Sequence, residues 1–274
     1  IRRPPRSTLD RSSAASDVYK RQVIHLAAWK AAGESMIKPA KYANNNLIGT
    51  MNLLNSCDRH GIKNFIFSST ASVYGIPQYI PMDEDHPIDP INYYGETKLQ
   101  IERNLKWFSE LRGIRFATLR YFNAAGYDVK GRIRGKEKNP QNLIPIVMEV
   151  ASGMRSKIEI FGNDYNTKDG TCVRDYIHVN DLATAHVKAI EHISNTKEDI
   201  VVNLATGDGH SVLDVIHKTI EVSGNDIPYN IVERRTGDPG TVIAGSKKAF
   251  ELLKWSPGHS DLDTLIGSTW EVYR

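Results

Sequence analysis

Tyr94-Gly95-Glu96-Thr97-Lys98 sets a phenol and an ammonium four residues apart, which on a helix stacks them one turn apart on one face. A tyrosine titrates near ~10, so taking a proton at neutral pH requires its ionised form to be stabilised by about 4 kcal/mol. One cation ~6 Å away, at an effective dielectric of ~20, supplies about 2.8 kcal/mol. A second positive charge nearby would supply the rest. The spacing alone does not separate this base from a surface tyrosine beside a solvated lysine, because lysine makes up ~6% of residues and one chance match among 12 tyrosines is almost expected. Context comes from Ser68-Ser69-Thr70-Ala71-Ser72-Val73-Tyr74-Gly75. There hydroxyls cluster at the end of a predicted strand, where one of them can relay a proton to the tyrosine. Capping is the alternative use of these side chains, and the favoured one for Ser68 and Ser72.

The elements around these residues alternate. Val23-Ile24-His25-Leu26-Ala27-Ala28 reads as a buried parallel strand, Leu47, Met51 and Leu54 as a helical stripe, and Phe65 to Ser69 as the next strand. Tyr93 to Leu111 is predicted to be a helix stopped by Gly113, and Arg115 to Tyr121 the strand after it. This pattern predicts an α/β fold, a doubly wound parallel sheet with ligands beyond the carboxyl ends of its strands. From about Asn123 the character changes. A polar, Gly-rich stretch leads to a helix Leu143 to Ala151, a strand Ile158 to Phe161 and a turn-rich segment, which together read as a smaller second lobe. Asp181 is expected to cap a helix Leu182 to His192, Ile200 to Leu204 to return to the sheet, Ser211 to cap Val212 to Val222, and Leu262 to Tyr273 to close the chain.

The 274 residues are 40% hydrophobic and 24% charged, and no apolar run approaches the ~18 residues of a membrane helix. The cytoplasm is the default expectation. The net charge of +3 comes from residues 1–22, where Arg2, Arg3, Arg6, Arg11, Lys20 and Arg21 face only Asp10 and Asp17. With no basic stripe elsewhere, a nucleic-acid partner is not expected. That first segment has neither helical nor strand period and reads as a non-native or disordered tail. Cys57 and Cys172 match no metal spacing, and Cys57 falls among apolar helix positions where a buried, inert thiol is expected.

The hydroxyl cluster followed by Tyr-x-x-x-Lys on a helix resembles the extended short-chain dehydrogenase/reductase superfamily. Within it, Phe161-Gly162-Asn163-Asp164-Tyr165, Asp169-Gly170-Thr171 and Val173-Arg174-Asp175-Tyr176-Ile177-His178-Val179 are similar to the signature of UDP-galactose 4-epimerases, and the likeness runs from Val23 nearly to the end. It implies NAD as cofactor and a UDP-sugar as substrate. Tyr94 would be the base, Thr70 its hydroxyl partner where the family commonly has serine, and Lys98 the anchor of the nicotinamide ribose. Lys30, Asn45, Ser68 and Tyr121 would touch the cofactor. Thr70 and Asn123 would meet the sugar, and Asn142, Leu143, Phe161, Arg174, Arg235 and Asp238 would cradle UDP. Arginine suits phosphate through bidentate bonds. Without the resemblance, Arg174 and Arg235 read equally well as partners of structural ion pairs, Phe161 as core, and Asp175, Tyr176 and His178 as a local hydrogen-bond network.

The implied reaction is inversion at carbon 4 of a UDP-hexose through a 4-keto sugar that turns over in its pocket. A 4,6-dehydratase carries Asp-Glu after the threonine, where this chain has Ala71 and Ser72. UDP-pentose epimerisation uses the same apparatus. Val242 stands where a bulky tyrosine in some members excludes N-acetylated sugars, so UDP-N-acetylhexosamines are expected to enter. A sugar-nucleotide sensor is the non-catalytic alternative, although it would not need the base. The superfamily often dimerises through the helix bearing Tyr94 and Lys98.

Residues 23–125 and 173–205 then form a dinucleotide-binding domain, and 126–172 with 206–274 the UDP-sugar lobe. No G-x-G-x-x-G occurs, and Gly207-Asp208-Gly209 lacks the third glycine and comes late. A βαβ unit takes ~30 residues, so roughly 70 to 90 residues are expected to belong ahead of Val23. The chain as written is expected neither to hold NAD tightly nor to epimerise, and its first strand to expose an unpaired edge and an apolar face.

Overall fold

A computed structural model describes residues 22–235 and 237–274, so the tail reading of 1–22 lies outside the described residues except for Gln22. The chain runs β1 (Gln22–His25), α1 (Ala32–Ile37), α2 (Pro39–Tyr42), a π-helical stretch Ala43–Ile48, α3 (Gly49–Arg59), β2 (Asn64–Thr70), α4 (Tyr93–Arg112), β3 (Arg115–Tyr121), β4 (Asn123–Ala125) and α5 (Leu143–Ala151). It continues through β5 (Ile158–Phe161), β6 (Val173–Arg174), β7 (Tyr176–His178), α6 (Val179–Thr196), β8 (Ile200–Leu204), β9 (His210–Ser211), α7 (Val212–Ser223), β10 (Tyr229–Val232), β11 (Thr241–Val242), α8 (Lys247–Leu253) and α9 (Leu262–Tyr273).

Alternation along the strands splits the apolar side chains between two layers. Phe65, Phe67 and Phe116 pack with Leu54 and Cys57 of α3 and Ile101 and Leu105 of α4. Ile66, Ala117 and Leu119 point the other way, onto Ala185, Ala189 and Ile193 of α6. The result is a parallel sheet of order β1-β2-β3-β8 with helices on both faces, the doubly wound arrangement predicted. Cys57 lies in this core, and burial pushes its thiol up, as an inert cysteine requires. Ala249, Leu253 and Trp255, within the stretch 206–274 assigned to the second lobe, pack on the α6 side of the sheet. The second lobe has its own core, formed by Ile144, Val147 and Met148 of α5, Val215 and Ile216 of α7, and Leu265 and Ile266 of α9.

Two expectations are corrected. The first strand ends at His25 rather than Ala28, and it is not buried: Ile24 is 44% and Leu26 58% exposed. It pairs only with β2, and among the described residues nothing pairs with its outer edge. Asp181 does not cap a helix, because α6 starts earlier, at Val179. His178 is its cap, with Nδ1 accepting from the Asn180 N–H at 3.0 Å. The Asp181 carboxylate instead accepts from the Ser260 hydroxyl at 2.6 Å and the His259 N–H at 2.8 Å, fastening the loop before α9 to the sheet domain. Ser211 does cap α7, in a reciprocal box with Asp214.

Candidate active site

The polar residues gather at the carboxyl ends of β2 and β3, where Thr70 and Tyr121 are register partners. Two donors of the first turn of α4 are satisfied from outside the helix. Asn92 accepts from the Gly95 N–H at 2.9 Å, and the Ser35 hydroxyl of α1 accepts from the Tyr94 N–H at 3.0 Å. Gly95 lies against the turn after β2: a Cβ on it would stand 2.4 Å from the Ser72 carbonyl oxygen. Glycine therefore lets the helix backbone touch the segment that presents Thr70. The Thr70 hydroxyl accepts from the Ser72 N–H at 3.1 Å, closing the turn Ala71–Val73, and it also meets the Tyr94 phenol.

Lys98 lies one turn further, only 2% exposed. Its ammonium donates to the Ser68 carbonyl at 2.8 Å, sits 4.8 Å from the Phe67 ring centre and 5.9 Å from that of Tyr94. That single hydrogen bond among the described residues leaves two of its three N–H groups to a ligand. Burial brings the ammonium down to about 8, against the opposing charge of Glu102.

Burial also changes the balance expected for Tyr94. It pushes the phenol up to about 12, and the contact with Thr70 recovers only part of this. Ionising the phenol at neutral pH then costs roughly 7 kcal/mol with Lys98 already in place. Lys98 is therefore insufficient by itself, and a second positive charge is a condition of base catalysis. Ser68 is not a cap: its hydroxyl shares a short hydrogen bond with the Tyr121 phenol.

Four of the residues assigned to a UDP cradle meet in two pairs. The Arg235 guanidinium lies 3.8 Å from the centre of the half-buried Phe161 ring, and Arg174 pairs with Asp238 while donating to the Gly240 carbonyl at 3.3 Å. Val242 is the register partner of Arg174 and packs on the cluster containing Val73, Tyr74 and Leu99, which connects the cradle to the turn after Thr70. Asn123 donates its side-chain amide to the Asp175 carbonyl at 2.9 Å. Asn142 precedes α5 without capping it, and shares a cleft with Lys30 and Ile144, while Leu143 packs on the second-lobe core. Lys30 is paired with Glu137 at 2.8 Å. Asn45 is exposed, its amide turned to the Asn46 Oδ1 at 3.0 Å. Asp175 and His178 bond to different partners: the buried Asp175 carboxylate accepts from the Thr206 and Gly207 N–H groups at 3.0 and 3.1 Å, and burial pushes it up to about 6, while the His178 ring meets Asn180 and Ser268.

A model of the NAD dependent epimerase/dehydratase family matches residues 7–205. The chain belongs to this family. The match begins inside the segment 1–22 that reads as foreign. A UDP-glucose 4-epimerase of Halalkalibacterium halodurans is 47% identical over 253 residues, which is 92% of this chain and 75% of that protein. The structure of UDP-glucose 4-epimerase from Brucella ovis in complex with NAD aligns with a TM-score of 0.91 at 41% identity, covering 94% of this chain and 80% of the other. A UDP-Glc/GlcNAc 4-epimerase from Campylobacter jejuni aligns with a TM-score of 0.80 at 39% identity, over 95% and 79% of the two chains.

In this member of the family, sequence reasoning missed Asn46. It is 1% exposed and clamps the backbone of Trp29, accepting from its N–H and donating to its carbonyl, both at 2.9 Å, so it fixes the loop that carries Lys30. The signal was its place on one buried helical face with Thr50, Leu54 and Cys57. Glu102 and Arg120 were missed as well. Their buried ion pair joins residues 18 apart in sequence, and no local period announces it.

Proposed function

We propose that this chain carries the substrate-binding and proton-transfer residues of an NAD-dependent UDP-glucose/UDP-galactose 4-epimerase. The observation that carries the reading is the buried Lys98 ammonium 5.9 Å from the Tyr94 ring, with Thr70 against the phenol. The residues fit the nicotinamide end of NAD: a buried ammonium with two N–H groups to spare suits ribose hydroxyls, and Tyr94 needs a second positive charge. Bound NAD+ supplies that charge and the capacity to accept and return a hydride. Tyr94 as phenolate takes the proton of the sugar 4-hydroxyl through or beside Thr70, and returns it once the 4-keto sugar has turned over. Arg174, Arg235, Phe161 and Asp238 grip the UDP part, leaving the hexose free to rotate. Dehydration is not supported, because Ala71 and Ser72 place no carboxylate beside Thr70.

In a chain completed with a G-x-G-x-x-G βαβ segment, UDP-galactose should be converted to UDP-glucose. No conversion by a folded, NAD-loaded protein would leave the sugar-nucleotide sensor as the reading. Residues 1–274 by themselves should hold no stoichiometric NAD and give no conversion, a reading supported by the outer edge of β1, unpaired among the described residues, and by the exposed Ile24 on it and Leu26 just after it. Trp107 and Leu111, 59% and 67% exposed on α4, mark the face proposed for a homodimer. Among the described residues no helix is long and apolar enough to cross a membrane, and the proposed location is the cytoplasm.

Val242 supports a wider substrate range, and the likeness to the Campylobacter jejuni UDP-Glc/GlcNAc enzyme agrees with it. The completed chain should turn over UDP-N-acetylglucosamine, and Val242→Tyr should suppress that activity while sparing UDP-glucose. Brisk turnover of UDP-glucose with none of the N-acetylated sugar would remove Val242 as the width determinant.

A further inference from the structure

Behind the proton-transfer residues lies a buried polar network that the mechanism does not use. Glu102, 3% exposed, stands one turn beyond Lys98 on α4. Its carboxylate accepts from Arg120 of β3 through both oxygens, Nε at 3.0 Å and Nη2 at 2.5 Å, and from the Ser69 hydroxyl of β2. Arg120 donates a further N–H to the Tyr74 phenol at 3.0 Å, and that phenol donates to Asn203 of β8 at 2.6 Å. Ser69 and Arg120 are register partners, flanked by Thr70 and Tyr121. One carboxylate thus ties the helix bearing Tyr94 and Lys98 to both strands that carry the rest of the site.

We propose that the Glu102–Arg120 pair positions Lys98 and Tyr94 for proton transfer, by fixing α4 against β2 next to the Ser68 carbonyl and Thr70. The inference rests on the roles given to Tyr94, Lys98 and Thr70 in the proposed function. Two apolar side chains could fill this space, and a buried ion pair is weak evidence of stability. What apolar side chains would not supply is directional, two-oxygen bonding and a negative charge one turn from Lys98. The groups around Lys98 are Tyr94 and Glu102 on its own helix, the Ser68 carbonyl and Phe67 ring on β2, Tyr121 of β3 through Ser68, and His25 of β1, which feels the Lys98 charge. Among these Glu102 is the one of opposite charge. Glu102 touches no reacting atom in this reading, so it is a positioning residue.

The test follows the Lys98 ammonium by NMR in the completed chain, with lysine labelled at Cε and the signal assigned by Lys98→Met. Glu102→Gln should lower the Lys98 titration midpoint by about one pH unit. The double variant Glu102→Met with Arg120→Met removes both members of the pair, so neither is left buried without the other, and it should fold and lower the midpoint too; it decides the matter where the single variant does not fold. Glu102→Asp keeps the charge but shortens the reach, so the midpoint should stay while kcat for UDP-galactose falls about tenfold with KM little changed. An unmoved midpoint in the folded double variant, or a normal kcat in Glu102→Asp, overturns the proposal. Absence of turnover in the unsubstituted chain would instead defeat the epimerase reading, and the Lys98 titration would still be readable.

Discussion

Tyr94→Phe, in a chain extended by a G-x-G-x-x-G dinucleotide-binding segment, is expected to lower UDP-galactose turnover by about 10²–10⁴-fold while leaving UDP affinity nearly unchanged. The phenylalanine ring keeps the packing of the half-buried site, and the backbone N–H still donates to Ser35. Only the group that takes the proton is lost. UDP binding should persist because Phe161, Arg174, Arg235 and Asp238 lie on the β5–β11 side of the site rather than on α4. Spectrophotometric titration adds a second readout, since burial holds the phenol at about 12 without a further positive charge nearby. Binding of NAD+ should therefore lower the midpoint at which the phenolate band appears, and the band assigned to this phenol should be absent in the phenylalanine variant. Near-normal turnover of Tyr94→Phe would remove the residue from the mechanism.

Gly95→Ala should have the next largest effect. Its added methyl would lie 2.4 Å from the Ser72 carbonyl oxygen, a backbone atom that cannot swing aside. Either α4 or the turn after Thr70 must shift, and both carry reacting groups. Overpacking of this kind costs about 1–3 kcal/mol of stability, and a displacement near 1 Å can cost about 10²-fold in rate. The helical propensity of alanine works the other way, by up to ~1 kcal/mol. The variant should thus fold with a modestly lower melting temperature and a disproportionate loss of kcat, measured beside Tyr94→Phe. If alanine at this position leaves kcat intact, the close approach of α4 to the turn is not what sets the Tyr94–Thr70 contact.

Much of the scaffold was readable because its signals are local. The helix Tyr93–Arg112 and its stop at Gly113, which adopts φ 64°, follow from an apolar stripe and a left-handed position suited to glycine. The strands Arg115–Tyr121 and Ile200–Leu204 coincide with the expected runs. Asp181 was misjudged because a short acidic side chain near a helix start is a cap by local rules, whereas its carboxylate is claimed by Ser260 and His259 almost eighty residues later.

The candidate site divides along the same line. Tyr94 and Lys98 were legible from sequence, because a spacing of four residues on a helix settles their shared face before any tertiary contact forms. The charge balance between them was not legible, since the position of the phenol near 12 and of the ammonium near 8 depends on how completely water is excluded. Glu102 with Arg120, Asn46 with the Trp29 backbone, and Val242 beside the turn after Thr70 became visible only when separate segments were packed together. Periodicity along a chain records which face of each element is buried. Desolvation and hydrogen bonding between distant segments depend on what the fold places against that face, and those terms set the protonation states on which this chemistry depends.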